Sequence, residues 1–152
     1  MLIPSKKLLF AIEAVLDIAY NAGNQPVQSR EITQRQGIPR RYLEQVLQQL
    51  VRAEVLSGVR GPRGGYLLAR ERRRITIGEI TRIVGNVDDR NRPLISPAAS
   101  TLGRKVLQPI WLEMQEQLMK GLDNITIEDL CLRAHKAKIE REAHPRHVDF
   151  TI

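Results

Sequence analysis

Residues 56–69 read Leu56-Ser57-Gly58-Val59-Arg60-Gly61-Pro62-Arg63-Gly64-Gly65-Tyr66-Leu67-Leu68-Ala69. Residues 56–60 and 66–69 have the make-up of two short strands, and the Gly/Pro-dense piece between them that of a turn. Four of the ten glycines of the chain lie from Gly58 to Gly65. The stretch is predicted to be a β-hairpin. Its tip carries Arg60 and Arg63, with Arg70, Arg72, Arg73 and Arg74 behind. Gly64 and Gly65 suit a sharp turn and a close approach to a phosphate. An enzymatic phosphate loop fits poorly, because no Gly-Lys-Ser/Thr follows and no helix opens there.

Upstream of the hairpin the apolar spacing is helical. Leu43, Val46, Leu47, Leu50 and Val51 form one stripe, while Arg40, Arg41, Glu44, Gln45, Gln48, Gln49 and Arg52 share the other face. Pro39 suits the first helical position. Before it, Ser29 reads as the N-cap of a short helix to about Gln36, and Gly37 ends that helix. Two helices joined by a tight glycine turn are a helix-turn-helix arrangement, or a plain helical hairpin. A basic hairpin placed directly after a helix-turn-helix is a wing, which can reach the backbone or a narrow minor groove. Further upstream, residues 5–22 form a helix with a stripe of Leu8, Leu9, Ile12, Val15, Leu16 and Ala19, closed by Gly23. Val27 and Gln28 make a short extended piece.

Downstream, Thr76-Ile77-Gly78-Glu79 is a capping box that starts a helix running to about Val84, with Gly85 ending it. Residues 86–100, with Pro93 and Pro97, read as a linker. A long amphipathic helix follows over 101–122. Leu107, Ile110, Trp111, Met114, Leu118 and Leu122 lie on one of its faces, and Pro109 kinks it or marks its true start. That face needs a partner, and the simplest is a second copy of the chain. Thr126-Ile127-Glu128-Asp129 caps a last helix to about Lys138, and residues 139–152 form a flexible tail. The expected fold is mainly α with a small β-hairpin wing. Residues 1–85 make a winged helix-turn-helix domain, and residues 101–138 hold the dimerisation helix and the C-terminal helix.

The charge pattern agrees. The 152 residues carry 24 Lys/Arg and 17 Asp/Glu, a net charge of +7. Residues 1–85 hold 14 basic and 7 acidic residues, and residues 86–152 hold 10 of each, so the whole excess lies in the first part. Most of it is Arg, whose planar fork matches phosphates and guanine edges. A localised basic footprint of this kind points to a polyanionic partner. No run approaches the length of a membrane span. Residues 1–20 could pass for a signal peptide, but Glu13 and Asp17 interrupt the apolar run at helical spacing, so an amphipathic helix is the better reading. One cysteine, Cys131, excludes a disulfide framework within one chain. Together these features lead us to expect a cytoplasmic protein with no membrane role. With one cysteine, three histidines all after residue 134 and no phosphate loop, no nucleophile–base pair stands out, so an enzyme is not expected.

The pieces Tyr42-Leu43-Glu44-Gln45, Leu56 through the Arg60-Gly61-Pro62-Arg63-Gly64-Gly65-Tyr66 wing to Ala69, and Ile75-Thr76-Ile77-Gly78-Glu79-Ile80 strongly resemble the IscR/NsrR-type (Rrf2) family. These are bacterial winged helix-turn-helix regulators of iron–sulfur, nitric oxide, cysteine and redox responses. The likeness is close over about residues 5–85. It extends more weakly to Trp111 and to Asn124-Ile125-Thr126-Ile127.

The resemblance implies a sequence-specific transcriptional regulator, a repressor, that binds a palindromic double-stranded DNA operator as a homodimer. The DNA-contacting set would be Ser29, Arg40, Arg41, Tyr42, Glu44, Gln45, Gln48, Arg60, Pro62, Arg63, Gly64, Gly65 and Tyr66. Of these, the residues on 40–49 would enter the major groove and those on 60–66 the minor groove. Glu44 matches a position that helps set discrimination, where a carboxylate accepts from cytosine and repels phosphate. An alternative is an interaction subunit whose long helix docks a protein partner.

One departure from the family is specific. Many members hold an iron–sulfur cluster with three cysteines before the long helix, yet here residues 86–104 contain neither Cys nor His. Where cluster-binding members carry Cys-x-x-His shortly before the tryptophan, this chain has Lys105 and Gln108. No cluster is expected, and the effector would be a small molecule or a protein. Cys131 and His135, four apart, could share a helix face and hold a metal. The stronger reading makes Cys131 a packed residue and His135 a surface one.

Overall fold

The computed structural model describes residues 4–89 and 100–142, without the side chains of 86–89. The elements in order are α1 (Lys6–Asn21), α2 (Ser29–Gln36), α3 (Arg40–Arg52), β1 (Leu56–Val59), β2 (Gly65–Leu68), a 3-10 turn at Arg72–Arg74, α4 (Ile77–Asp89), a π turn at Gly103–Leu107, α5 (Gln108–Asp123) and α6 (Ile127–Lys136). The chain is thus mostly helical with one two-stranded antiparallel hairpin, the winged-helix arrangement expected.

Helix α1 is the hub. It packs against α2, α3, α4, α6 and β2. A helix covered on so many sides loses a clean apolar stripe. Its deepest residues are Ala11, Ala14, Val15 and Ile18, all fully buried, and they meet the buried Leu43, Val46, Leu47 and Leu50 of α3. This corrects the sequence stripe: of its members only Val15 is fully buried, and Leu9 is exposed. Ser5 caps α1 by accepting from the Leu8 amide at 3.2 Å.

The turn between α2 and α3 forms as the sequence predicts. Gly37 adopts φ +65°, the left-handed conformation that ends a helix without a Cβ clash. Two caps shift by one residue. The N-cap of α2 is Gln28, whose amide donates to Glu31 Oε2 at 2.7 Å, so Ser29 is the first helical residue and not the cap. Pro39 is the N-cap of α3, with φ −58° and ψ 132°, and not its first helical residue. Helix α3 ends on a Schellman motif. The Val55 amide donates to the Leu50 carbonyl and the Glu54 amide to the Val51 carbonyl, both at 3.0 Å. The left-handed residue there is Glu54, at φ +59°.

The hairpin pairs Leu56 with Leu68 and Val59 with Gly65. The extended piece at Val27 is a third, one-residue strand. The Val27 amide donates to the Tyr66 carbonyl at 2.9 Å, and the Tyr66 amide returns the bond at 2.8 Å. The wing is thereby fastened to the segment that leads into α2.

A second short bridge joins the starts of α4 and α6; the capping box is complete at Thr126–Asp129, whereas at Thr76 only the threonine half forms and the Glu79 carboxylate turns to Arg70. The Ile77 amide donates to the Ile125 carbonyl and the Ile127 amide to the Ile75 carbonyl, both at 2.9 Å. Thr76 Oγ1 accepts from the Glu79 amide and Thr126 Oγ1 from the Asp129 amide, each at 3.1 Å. This bridge lays α5 and α6 back on the winged domain. Arg82 grips Asp123 with two bonds of 2.6 Å, and Arg72 grips Glu128 at 3.1 and 3.2 Å. Ile127 and Cys131 of α6 are buried in the same core as α1, so α6 belongs structurally with the winged domain that was read as residues 1–85.

Two further points differ from the sequence reading, while Pro109 marks a true helix start as that reading allowed. Helix α4 passes through Gly85 and extends to Asp89, because Gly in a helix is a cost of only about 1 kcal/mol and not a stop. Pro109 lies at the start of α5 behind a π turn, in which the Gln108 amide donates to the Gly103 carbonyl. Proline has no N–H, and the wider turn absorbs the missing bond. Residues 139–142, assigned to the flexible tail, are docked on α1 and α2. The first four residues read as linker, 86–89, are the last of α4, while residues 90–99 and the tail beyond 142 lie outside the described residues.

Candidate nucleic-acid interface

Helix α3 separates its faces sharply. Leu43, Val46, Leu47 and Leu50 are buried, while Arg40, Arg41, Tyr42, Glu44, Gln45, Gln48 and Arg52 are exposed. Tyr42 is 45% exposed and tilts against Phe10 of α1, with ring centroids 5.9 Å apart. Arg40 Nε donates to Glu44 Oε1 at 2.8 Å, one turn along the helix and in full view of solvent. Gln49, placed on the outer face from sequence, is half-buried instead, and its Oε1 is buried with no hydrogen-bond partner among the described residues.

At the wing, Arg60, Pro62 and Arg63 are exposed at the tip. Gly64 and Gly65 are half-buried, and both have structural work to do. A Cβ on Gly64 would run into the carbonyl oxygen of Val59, and one on Gly65 into the carbonyl of Val27. Crowding by the protein's own backbone therefore accounts for both glycines, without invoking phosphate. Tyr66 is half-buried and spends both its backbone groups on Val27. Ser29 is half-buried at the start of α2.

The arginines divide into two sets. Arg35, Arg70, Arg72 and Arg82 hold the fold together through Asp17, Glu79, Glu128 and Asp123, and Arg73 pairs with Glu71. Arg41, Arg52, Arg60, Arg63 and Arg74 make no side-chain hydrogen bond or ion pair among the described residues. The arginines behind the wing tip are thus not one cationic block: Arg70 and Arg72 are internally neutralised. Sequence reasoning did not single out Arg30, in the first turn of α2. It is exposed and reaches only Gln28, at 3.3 Å. Its signal was a basic side chain beside Ser29 at a helix start.

Leu107, at the end of the π turn, and Ile110, Trp111, Met114 and Leu118 of α5 are exposed, and Leu122 is half-buried. The face turned inward carries Gln108, Gln115 and Met119 with Leu122. Cys131 is 2% exposed, and burial pushes its thiol up while Arg72 opposes that shift. His135 is exposed. Among the described residues no three His, Cys, Asp or Glu side chains gather as metal ligands, and no helix is long and apolar enough to cross a membrane.

The family model for Rrf2, described as an iron-dependent transcriptional regulator, matches residues 4–133. The HTH-type transcriptional regulator IscR of Sodalis glossinidius is 35% identical over 121 residues, covering 80% of this chain and 73% of the relative. IscR of Klebsiella pneumoniae strain 342 is 35% identical over the same length. Among solved structures, T. potens IscR aligns with a TM-score of 0.72 at 31% identity, covering 93% of this chain and 94% of that one. CymR, the global cysteine regulator of B. subtilis, aligns at 0.70 with 27% identity, covering 88% and 98%. The two curated relatives are both HTH-type transcriptional regulators. The exposed face of α3, the free arginines of the wing and these likenesses agree: this chain belongs to the Rrf2 family of winged-helix, DNA-binding transcriptional regulators.

Proposed function

We propose that the protein binds a palindromic operator as a homodimer and represses transcription, with Arg40, Arg41, Tyr42, Glu44, Gln45 and Gln48 of α3 in the major groove and Arg60 and Arg63 of the wing in the minor groove. One observation carries this reading. Three of the four arginines behind the wing are held in ion pairs, whereas the two at its tip have no partner among the described residues and are exposed. An arginine without a carboxylate partner is the group that gains most from a phosphate or a narrow minor groove. Tyr66, Gly64, Gly65 and Ser29 shape the wing and the start of α2 and stand behind this surface.

The second copy is argued from α5. Ile110, Met114 and Leu118 are each about half exposed on one face. Contiguous apolar surface of this kind marks an interface. Two copies joined there would offer two α3 helices to a two-fold site. A docked protein partner on the same face is the second reading.

The signal is proposed to be something other than a resident iron–sulfur cluster. The family description is iron-dependent, but the donor set does not fit one: residues 86–104 hold no Cys or His, and the single thiol is buried beside Arg72. Site selection from random duplexes, followed by sedimentation of Ile110→Glu with Met114→Glu, tests the proposal. A two-fold site and a monomeric double variant are expected. A half-site, or a variant still dimeric, would overturn it.

A further inference from the structure

Residues 139–142 follow α6 and reach back to the C-terminal end of α1. Their backbone is captured by side chains of α1. Tyr20 Oη donates to the Ile139 carbonyl, and the Glu142 amide donates to Asn21 Oδ1 at 3.0 Å. Arg141 lies over the Tyr20 ring, 4.9 Å from its centroid. Tyr20 and Asn21 are both buried, so these are built contacts and not the chance lie of a chain end. The last contact reaches the helix-turn-helix itself: Glu142 Oε2 accepts from Arg35 Nη1 at 2.9 Å.

Arg35 stands in the last turn of α2, two residues before Gly37. Its other nitrogens donate to Asp17 at 2.9 and 2.7 Å, and Gln36 adds a third bond to the same carboxylate at 2.8 Å. The Asp17 side chain is wholly buried and that of Arg35 is 11% exposed, whereas Glu142 is 65% exposed. The inner pair is shielded from water. The outer one sits at the surface and can open. Beside the strap a cleft of about 540 Å³, bordered by Glu13, Tyr20, Gln34 and Glu140, leaves room for it to move.

We propose that residues 139–142 are a latch. Through Glu142 and Arg35 the segment beyond the dimerisation arm holds the C-terminal turn of α2, and with it the angle at which α3 is presented. Opening the latch loosens α2 and lowers the population of the DNA-competent arrangement. The affinity part of this inference rests on the DNA-binding function proposed above.

The test uses the full chain with Glu142→Ala, and Glu140→Ala as a control of equal charge. Amide hydrogen exchange is read first, without DNA. Glu142→Ala should speed exchange of the amides of residues 34–37 about three- to tenfold, the effect of one lost charge-assisted hydrogen bond. Exchange in α1 should stay unchanged, and Glu140→Ala should match the unaltered protein. Affinity for a selected duplex should then fall by a similar factor, with an unchanged salt slope, since no phosphate contact is lost. Equal exchange in the two variants would overturn the latch. Faster exchange with unchanged affinity would overturn its hold on DNA binding. If the unaltered protein showed no sequence preference, the proposed function would fail, while the exchange comparison would still decide the latch.

Discussion

Replacing Gly65 with alanine should destabilise the protein even in the absence of DNA. Gly65 opens β2 where that strand lies against Val27, and an added Cβ would overlap the Val27 carbonyl group. The backbone must then separate. The bonds at risk are the Val27–Tyr66 pair, at 2.9 and 2.8 Å. Each is worth about 1 kcal/mol net, and forcing a close-packed contact apart costs about 1–3 kcal/mol more. The expected loss is about 3–5 kcal/mol, or a fall of about 6–20 °C in Tm for a chain of this size. Gly58 is the internal control. It lies in β1 with open space where a Cβ would go, so Gly58→Ala should change stability by less than about 0.5 kcal/mol. Urea unfolding of both variants, followed by far-UV circular dichroism, supplies the two values. Equal midpoints would refute the packing argument. They would return Gly65 to the role first read from the sequence, a passage for a phosphate.

Three further outcomes follow from the same contacts. Arg35→Leu leaves the wholly buried Asp17 carboxylate with only Gln36, and should cost about 3–5 kcal/mol in chemical denaturation; Arg40→Ala, which breaks an exposed pair, should cost under about 0.5 kcal/mol. Glu54→Gly removes the left-handed strain at the end of α3 and should stabilise by about 0.5–1 kcal/mol, measured the same way. Burial raises the Cys131 thiol, so in the folded protein it should react with a thiol reagent at pH 8 far more slowly than in denaturant; because the unfolded chain gives up that proton first, stability should decline as pH rises past about 8.5.

Much of the fold was legible because its signals are local. Gly37 can close the turn without a Cβ penalty, and Thr76 and Thr126 must each satisfy an amide at its own helix start. These facts need only a few residues of context. The stripe of α3 was legible because one side of that helix faces water and the other the core. Helix α1 broke the same rule by being covered on nearly every side. Contacts between distant residues left no trace in spacing: the bridge of Val27 to Tyr66, the bond of Ile77 to Ile125, and the docking of Glu142 on Asn21 and Arg35. The exposure of the candidate side chains was legible in the sequence, and the crowding around the wing glycines was not. Gly64 and Gly65 are explained by neighbours that only the folded chain brings near. The arginines behind the wing looked like one patch, because charge counts cannot show that Glu79 and Glu128 fold back to meet Arg70 and Arg72.

The central claim is that the wing tip and α3 together read DNA. The most direct measurement is the affinity for a selected duplex as a function of salt, for the unaltered protein and for Arg60→Ala with Arg63→Ala. Removal of two phosphate or minor-groove contacts should weaken binding to all sequences alike and flatten the slope of log affinity against log salt by about 2, with base preference kept. An unchanged slope and affinity would place the wing away from DNA and contradict the account.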